Sequence, residues 1–325
     1  MAPIFTGSKF GFGRVDEPSL STIISPVAAR AIYFGGFNVN TIQYVQVETT
    51  GNATSFGTLT TTGFNGGCSA STTRAVYANG RALSINQEYV TIATTGNSLD
   101  FGALNTTRRL FLEAGCNSTT RGIVPGGTAF STGSTASTVI DYFTFATTGT
   151  ASFFGSLTLD RYFGPAGASS PTRGVIFGGV SSGFVQTNVI DYITIASTGN
   201  ATSFGTCARF IRQCAGTSNA TRALFHGGVN TNSGSTVTTI DYVDIATTGN
   251  SNVFGNLSSD RRASGATSNN TRAICGGGEN NSGVTTNVIQ SNEISTLGDS
   301  VSFGTLTASL FALTATSSYN GGVQV

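Results

Sequence analysis

Apolar residues along this chain come in short bursts rather than at helical intervals. Runs of four to eight residues rich in Val, Ile, Thr, Tyr and Phe are separated by Gly, Asn, Ser and Thr. Such runs and breaks are the signature of β-strands, and no stretch holds a helical period. Three of the runs recur in register. The first opens on arginine and ends beside glycine: RAIYFGG at Arg30, RAVYANG at Arg74, RGIVPGG at Arg121, RGVIFGG at Arg173, RALFHGG at Arg222 and RAICGGG at Arg272. The second is centred on Tyr44, Tyr89, Tyr142, Tyr192 and Tyr242, and degenerates to IQSNEIS around Ser291 in the sixth copy. A Phe-Gly pair closes each unit, at Phe56, Phe101, Phe154, Phe204, Phe254 and Phe303. The opening arginines are 44 to 52 residues apart, a period that marks an array of one supersecondary unit.

Each unit predicts four strands, a to d. The Arg run is b, the Tyr run c and the Phe-Gly run d, with c and d joined as a hairpin through TTGN or STGN, whose Gly and Asn accept positive φ. Strand a is the small, polar segment before the next arginine: Gly66 to Thr72, Glu113 to Ser118, Gly164 to Ser170 and Gln213 to Ser218. Small residues suit a crowded inner strand where backbones converge. The first unit has no strand a before Arg30, whereas the chain runs on after Phe303 as SLFALTATSSYNGG. The C-terminus therefore supplies the missing strand and closes a ring, leaving no open edge. The expected fold is all-β, a six-bladed β-propeller of four-stranded blades over residues 27–325, completed in blade one by the C-terminal strand.

A strand ending in Gly-Gly, a strand with a central aromatic, a turn, and a strand followed by an Arg-containing linker together resemble the kelch-type propeller repeat. The resemblance covers residues 27–325 and departs at one point, since Phe-Gly stands where a kelch repeat carries Trp and the chain has no Trp. The cadence IDYxTIAxTGNATxFG followed by Arg and Gly-Gly resembles repeats in virion structural proteins of tailed phages, especially those of cyanobacteria. That likeness implies a non-enzymatic tail-associated fibre or adhesion component, present in several copies per virion and made in the host cytoplasm. A head decoration protein and a secreted carbohydrate-binding or carbohydrate-acting propeller are the alternatives. Residues 1–26 share nothing with the repeat and lack the basic and apolar regions of a secretory signal. Their Phe5, Phe10 and Phe12, set among glycines, suggest an arm that anchors on another virion protein, the alternative being a tail packed on its own propeller.

Composition narrows the chemistry. Charged residues make up 10% of the chain, the net charge is +1 and Lys9 is the one lysine. That argues against nucleic-acid binding, which needs a basic stripe. No run approaches the 18 apolar residues of a membrane span. The five cysteines read as reduced core residues. One histidine and no CxxC spacing leave no metal site, and no cofactor is expected. Nor does the chain offer the histidines of a copper oxidase or the Asp-box turns of a sialidase. Asp160 and Asp260 stand directly before Arg161 and Arg261, a pairing that suits salt bridges better than acid catalysis.

Alternating strands put the b–c loops and d–a linkers on one face and the a–b and c–d turns on the other. The b–c loops vary from FNVN to VNTNSGSTVTT, as recognition loops on a rigid frame do. The linkers bring Arg108, Arg109, Arg161, Arg209, Arg212, Arg261 and Arg262 to that face, and His226 ends its strand there. Two readings stay open: these groups hold an anionic or hydroxylated glycan, such as host surface polysaccharide, or the arginines bridge neighbouring blades through backbone carbonyls. The strand-opening arginines lie at the opposite end and read as glue between blades.

Overall fold

The computed structural model describes residues 29–80, 84–110, 115–128 and 135–322. Within them the protein is all-β, with six four-stranded antiparallel sheets and no α-helix. From the innermost strand outward, sheet one is Thr314–Ser317, Arg30–Phe34, Val39–Gln46 and Thr54–Gly63. Sheet two is Gly66–Ala70, Arg74–Asn79, Ser84–Thr91 and Leu99–Arg108; sheet three is Cys116–Asn117, Arg121–Pro125, Ser137–Thr144 and Ser152–Arg161. Sheet four is Ala166–Ser169, Arg173–Phe177, Val189–Thr194 and Thr202–Thr206; sheet five is Ala215–Ser218, Arg222–His226, Thr239–Asp244 and Asn252–Asn256. Sheet six is Gly265–Ser268, Arg272–Gly276, Val288–Glu293 and Val301–Thr305. Every sheet thus has the order a-b-c-d, and the C-terminal strand pairs with Arg30–Phe34, Ala31 opposite Ser317 and Phe34 opposite Thr314.

The innermost strands touch one another in cyclic order, the last of them, Thr314–Ser317, packing against Gly66–Ala70. Their small side chains link neighbours directly. Ser268 Oγ donates to Ser218 O and Ser218 Oγ to Ser169 O, both at 2.6 Å, and Ser69 Oγ donates to Cys116 O at 3.1 Å. Apolar burial follows the same plan. The main hydrophobic clusters straddle pairs of adjacent sheets, such as Val175 and Phe177 with Ala223 and Phe225 between sheets four and five, where Phe177 and Phe225 stack at 3.9 Å. The cores lie between sheets, so no sheet buries its faces alone.

Two backbone contacts explain the repeated motifs. At the turn-bearing face, the Gly of each c–d turn donates to the Phe carbonyl of the preceding sheet: Gly96 to Phe56, Gly149 to Phe101, Gly199 to Phe154, Gly249 to Phe204, Gly298 to Phe254 and, closing the cycle, Gly51 to Phe303. The approach is so close that a Cβ on Gly205 would lie 2.1 Å from Gly249 O, and one on Gly304 2.0 Å from Gly51 O. Phe-Gly is therefore required by the neighbouring turn. Beside it, each strand-opening arginine reaches the next sheet, Arg121 Nη1 donating to Ile195 O and Ala196 O at 3.0 and 2.7 Å. Arg30, Arg74, Arg173 and Arg222 repeat the contact in order, and Arg272 returns to Val47 O and Glu48 O of sheet one. Five of these guanidiniums also sit 4.5 to 4.9 Å from the strand-c tyrosine ring of their own sheet.

Gly205→Ala should lower unfolding stability by about 1–3 kcal/mol, the cost of overpacking against backbone. Gly249→Ala, whose Cβ meets nothing within 4 Å, serves as the control in the same denaturant titration.

Candidate functional site

The d–a linkers cross the b–c face near the axis as a hydrogen-bonded collar. Gln213 N donates to Gly164 O, Ala263 N to Gln213 O, Ala312 N to Ala263 O and Asn65 N to Ala312 O, at 2.8 to 3.0 Å. All five residues have left-handed backbone, φ running from 42° to 66°. The b–c loops stand around this collar. In sheet four the loop folds into the hairpin Val180–Ser181 with Val185–Gln186; in sheet five, Val229–Asn230 and Ser235–Thr236 add to the linker strand Ile211–Arg212.

Three of the seven linker arginines are withdrawn from solvent. Arg108, Arg161 and Arg261 are buried, at 1%, 0% and 1% exposure. Arg108 reaches from sheet two into sheet three, pairing with Asp141 at 2.6 Å and donating to Val124 O at 2.9 Å. Arg161 does the same toward sheet four, with Asp191 at 2.8 Å and the carbonyls of Ile176 and Gly178. Arg261 donates to Gly277 O and Val288 O of sheet six. A guanidinium held so deep, with donors on the backbone carbonyls of the next sheet, is a bridge between sheets. Arg209 pairs with Asp241 of sheet five, and Arg262 with Glu279 at 2.5 Å. His226 is also withdrawn from the face. It is 1% exposed, and burial pushes its imidazole down to about 4, so it stands neutral.

The partners of the bridging arginines belong to a second lock that the sequence displayed without explaining. The residue before each strand-c tyrosine accepts from the linker of the preceding sheet: Glu88 from Thr60 N, Asp141 from Asn105 N, Asp191 from Thr158 N and, with glutamine in place of the acid, Gln43 from Thr307 N. In sheet six Gln290 takes Ser258 N, at the matching position before Ser291. The Asp of IDY is thus a capping and pairing group.

Arg109 and Arg212 differ from the rest, for each lies over an aromatic ring, Phe64 at 5.7 Å and Phe163 at 4.9 Å. Phe163 belongs to a small aromatic ladder with Tyr162 and Phe184, at centroid spacings of 6.0 and 5.9 Å. Phe184 tops the sheet-four hairpin, 66% exposed and with φ at 61°, a conformation rare for a bulky side chain. Asp160 holds the hairpin down. It accepts from Ser181 Oγ at 2.5 Å and from the hydroxyl and amide of Ser182. Partial burial raises the Asp160 carboxyl, but those hydrogen bonds outweigh it and hold the group below the usual carboxylate range. Between this hairpin and the sheet-five strands is a cleft of about 170 Å³ lined by Val180, Phe184, Gln186, Arg212, Thr231 and Gly234.

Of the residues expected on this face, the structure brings Arg212 into a cleft. Its companions Phe184, Gln186 and Thr231 escaped sequence reasoning, although an aromatic residue inside the Ser/Gly-rich loop VSSGFVQTN was a visible signal. The arm residues Phe5, Phe10 and Phe12 lie outside the described residues. Among the described residues no three His, Cys, Asp or Glu side chains group as metal ligands, and no helix is long and apolar enough to cross a membrane. The five cysteines are buried and free, with burial pushing the Cys68 and Cys116 thiols up to about 12. No protein-family model matches the chain, nor does any curated protein.

Two outcomes follow from this geometry. Arg161→Ala strands the Asp191 carboxylate and should cost about 3–5 kcal/mol of unfolding stability, measured by guanidinium denaturation. For His226 the folded value of about 4 lies below the unfolded value near 6.5, so its contribution is complete above about pH 6.5 and is lost as the pH falls toward 4, by up to about 1.4 kcal/mol per unit. His226→Phe, which installs the residue found at the matching Phe34 and Phe177, should remove that part of the slope in a series of pH-dependent melts.

Proposed function

We propose that the six sheets are the blades of a six-bladed, kelch-like β-propeller. We further propose that the protein is a non-enzymatic component of a phage particle, a tail-associated fibre or adhesion protein. In this reading residues 1–26 dock on another virion protein and the b–c face meets the host surface. Support for the architecture comes from the uniform a-b-c-d order, the cyclic contacts of small inner strands and the C-terminal strand seated in sheet one.

The observation that carries the binding role is the contrast between the two faces. On one, turns and arginines are consumed in contacts between sheets. On the other, loops of unequal length expose Phe37, Phe184, Val185 and Val284 at 47% to 66%. Apolar side chains held in solvent by loops mark a surface that meets something else. The remaining large exposed apolar residues are dispersed, with Leu99, Phe153, Val253 and Val301 on outer strands of four different sheets and Leu297 on a c–d turn. A glycan suits this face better than nucleic acid, because the chain carries only +1 net charge and its exposed loops are rich in Asn, Ser and Thr.

The test is saturable binding of the purified full-length protein to intact cyanobacterial cells, competed by polysaccharide extracted from the same cells. Binding that competes supports attachment. Folded protein that fails to bind would turn the reading toward a particle-building role such as head decoration. A variant lacking residues 1–20 should fold, bind cells equally well and fail to join the particle; misfolding would show that these residues belong to the domain.

A further inference from the structure

We propose that the turn Asn320–Gly322 is an axial latch, a plug whose seating keeps the ring of sheets closed and sets how long the folded state lasts. This goes beyond the attachment reading and holds whatever the b–c face meets. Topology is the reason. In sheets two to six the inner strand runs outward into strand b of its own sheet, so its end is committed to the a–b turn. In sheet one strand b is Arg30–Phe34, near the start of the sequence, so the residues after Ser317 are released to turn inward.

They cross the axis. The turn packs on the inner strands of sheets three, four, five and six, Cys116–Asn117, Ala166–Ser169, Ala215–Ser218 and Gly265–Ser268. Asn320 is 3% exposed. Its carbonyl accepts from Asn117 Nδ2 and its Oδ1 from Thr217 Oγ1, both at 3.3 Å, contacts that span 203 and 103 residues of sequence. Gly321 follows with φ 72°, and a Cβ there would stand 2.5 Å from Ser169 O, so the turn fits the axis only as glycine. On the near side Ser317 Oγ donates to Ser268 O and accepts from Tyr319 N, while Thr314–Ser317 packs on Gly66–Ala70 of sheet two. One stretch, from Thr314 to Gly322, thus meets all six sheets.

This geometry fixes an order of events. Contacts over such separations carry a high loop-closure entropy and form late. Thr314–Ser317 cannot leave Arg30–Phe34 while Asn320 and Gly321 are held by sheets three, four and five, so withdrawal of the turn precedes opening of the ring. A contact made after the folding barrier slows unfolding and leaves folding unchanged. In a particle that must persist outside its host, folded lifetime matters more than equilibrium stability.

The full-length protein, Asn320→Ala and Gly321→Ala, compared by guanidinium-jump kinetics and by hydrogen exchange read with mass spectrometry, test the latch. Asn200→Ala, which removes the contact from Ser156 N to the Asn200 side chain at the turn-bearing face, is the control. Asn320→Ala should speed unfolding about tenfold with refolding unchanged. It should also raise exchange first in Thr314–Ser317 and Arg30–Phe34, the pair that closes the ring. Gly321→Ala should give the same pattern more strongly, and Asn200→Ala should leave both strands protected. An unchanged unfolding rate, or refolding slowed as much as unfolding is sped, overturns the latch. So does exchange raised only in 319–322, a turn that frays without opening the ring, or raised equally in every sheet, a contact that only adds to global stability. Should Gly321→Ala not fold, Asn320→Ala alone decides between these outcomes.

Discussion

Everything in this molecule depends on how closely one sheet approaches the next. The Gly of each Phe-Gly pair is pressed against the backbone of the neighbouring c–d turn, leaving no room for a Cβ, and the contact returns from Gly304 to Gly51. Because the hydrophobic clusters lie between sheets, a sheet by itself would leave apolar surface on both faces. Each sheet is stable only in company. The C-terminal strand in sheet one makes that dependence cyclic and leaves no end at which the array can fray.

Polar contacts then select the register that apolar packing tolerates only loosely. One set, the strand-opening arginines, grips carbonyls at the turn-bearing face. A second, the linker arginines with the acid or glutamine before the strand-c tyrosine, grips the other face. Fully buried pairs such as Arg161–Asp191 gain little over a well-packed apolar pair, because both charges lose water. Removing one partner, however, is severe. These bridges therefore penalise any misaligned sheet that would bury one charge without the other, which is a reason to place them between repeats of nearly identical sequence.

This logic also sets what the sequence could disclose. Strands, turns, the inner position of the small strand and the closing role of Thr314–Ser317 were legible, because each rests on local pattern and on a count of units. The linker arginines were not. Face assignment by topology put Arg108, Arg161 and Arg261 at the correct end of the molecule, yet their side chains turn sideways into the next sheet. That turn is dictated by Asp141, Asp191 and the Gly277 carbonyl, groups 33, 30 and 16 residues along that become neighbours only once sheets stack. His226 misled for a related reason, since a strand end looks exposed until a neighbouring sheet covers it. Phe184 was hidden in the other direction, because nothing in VSSGFVQTN announces that its backbone is left-handed.

The b–c face is where the repeat relaxes, and the collar explains how it can. Gly164, Gln213, Ala263, Ala312 and Asn65 share one backbone conformation across four residue types, and only the first is glycine. Alanine in the left-handed region costs energy that glycine would save, so the collar is held by its neighbour-to-neighbour hydrogen bonds rather than by local preference. With the backbone fixed from below, the loops above it are free to differ in length and chemistry without disturbing the sheets. Arg262 forms an ion pair with Glu279 at the edge of sheet six, whereas at the matching place in sheet five Arg212 lies over Phe163 and its strand pairs with Val229–Asn230. The frame thus holds the sheets constant while the loops above it change.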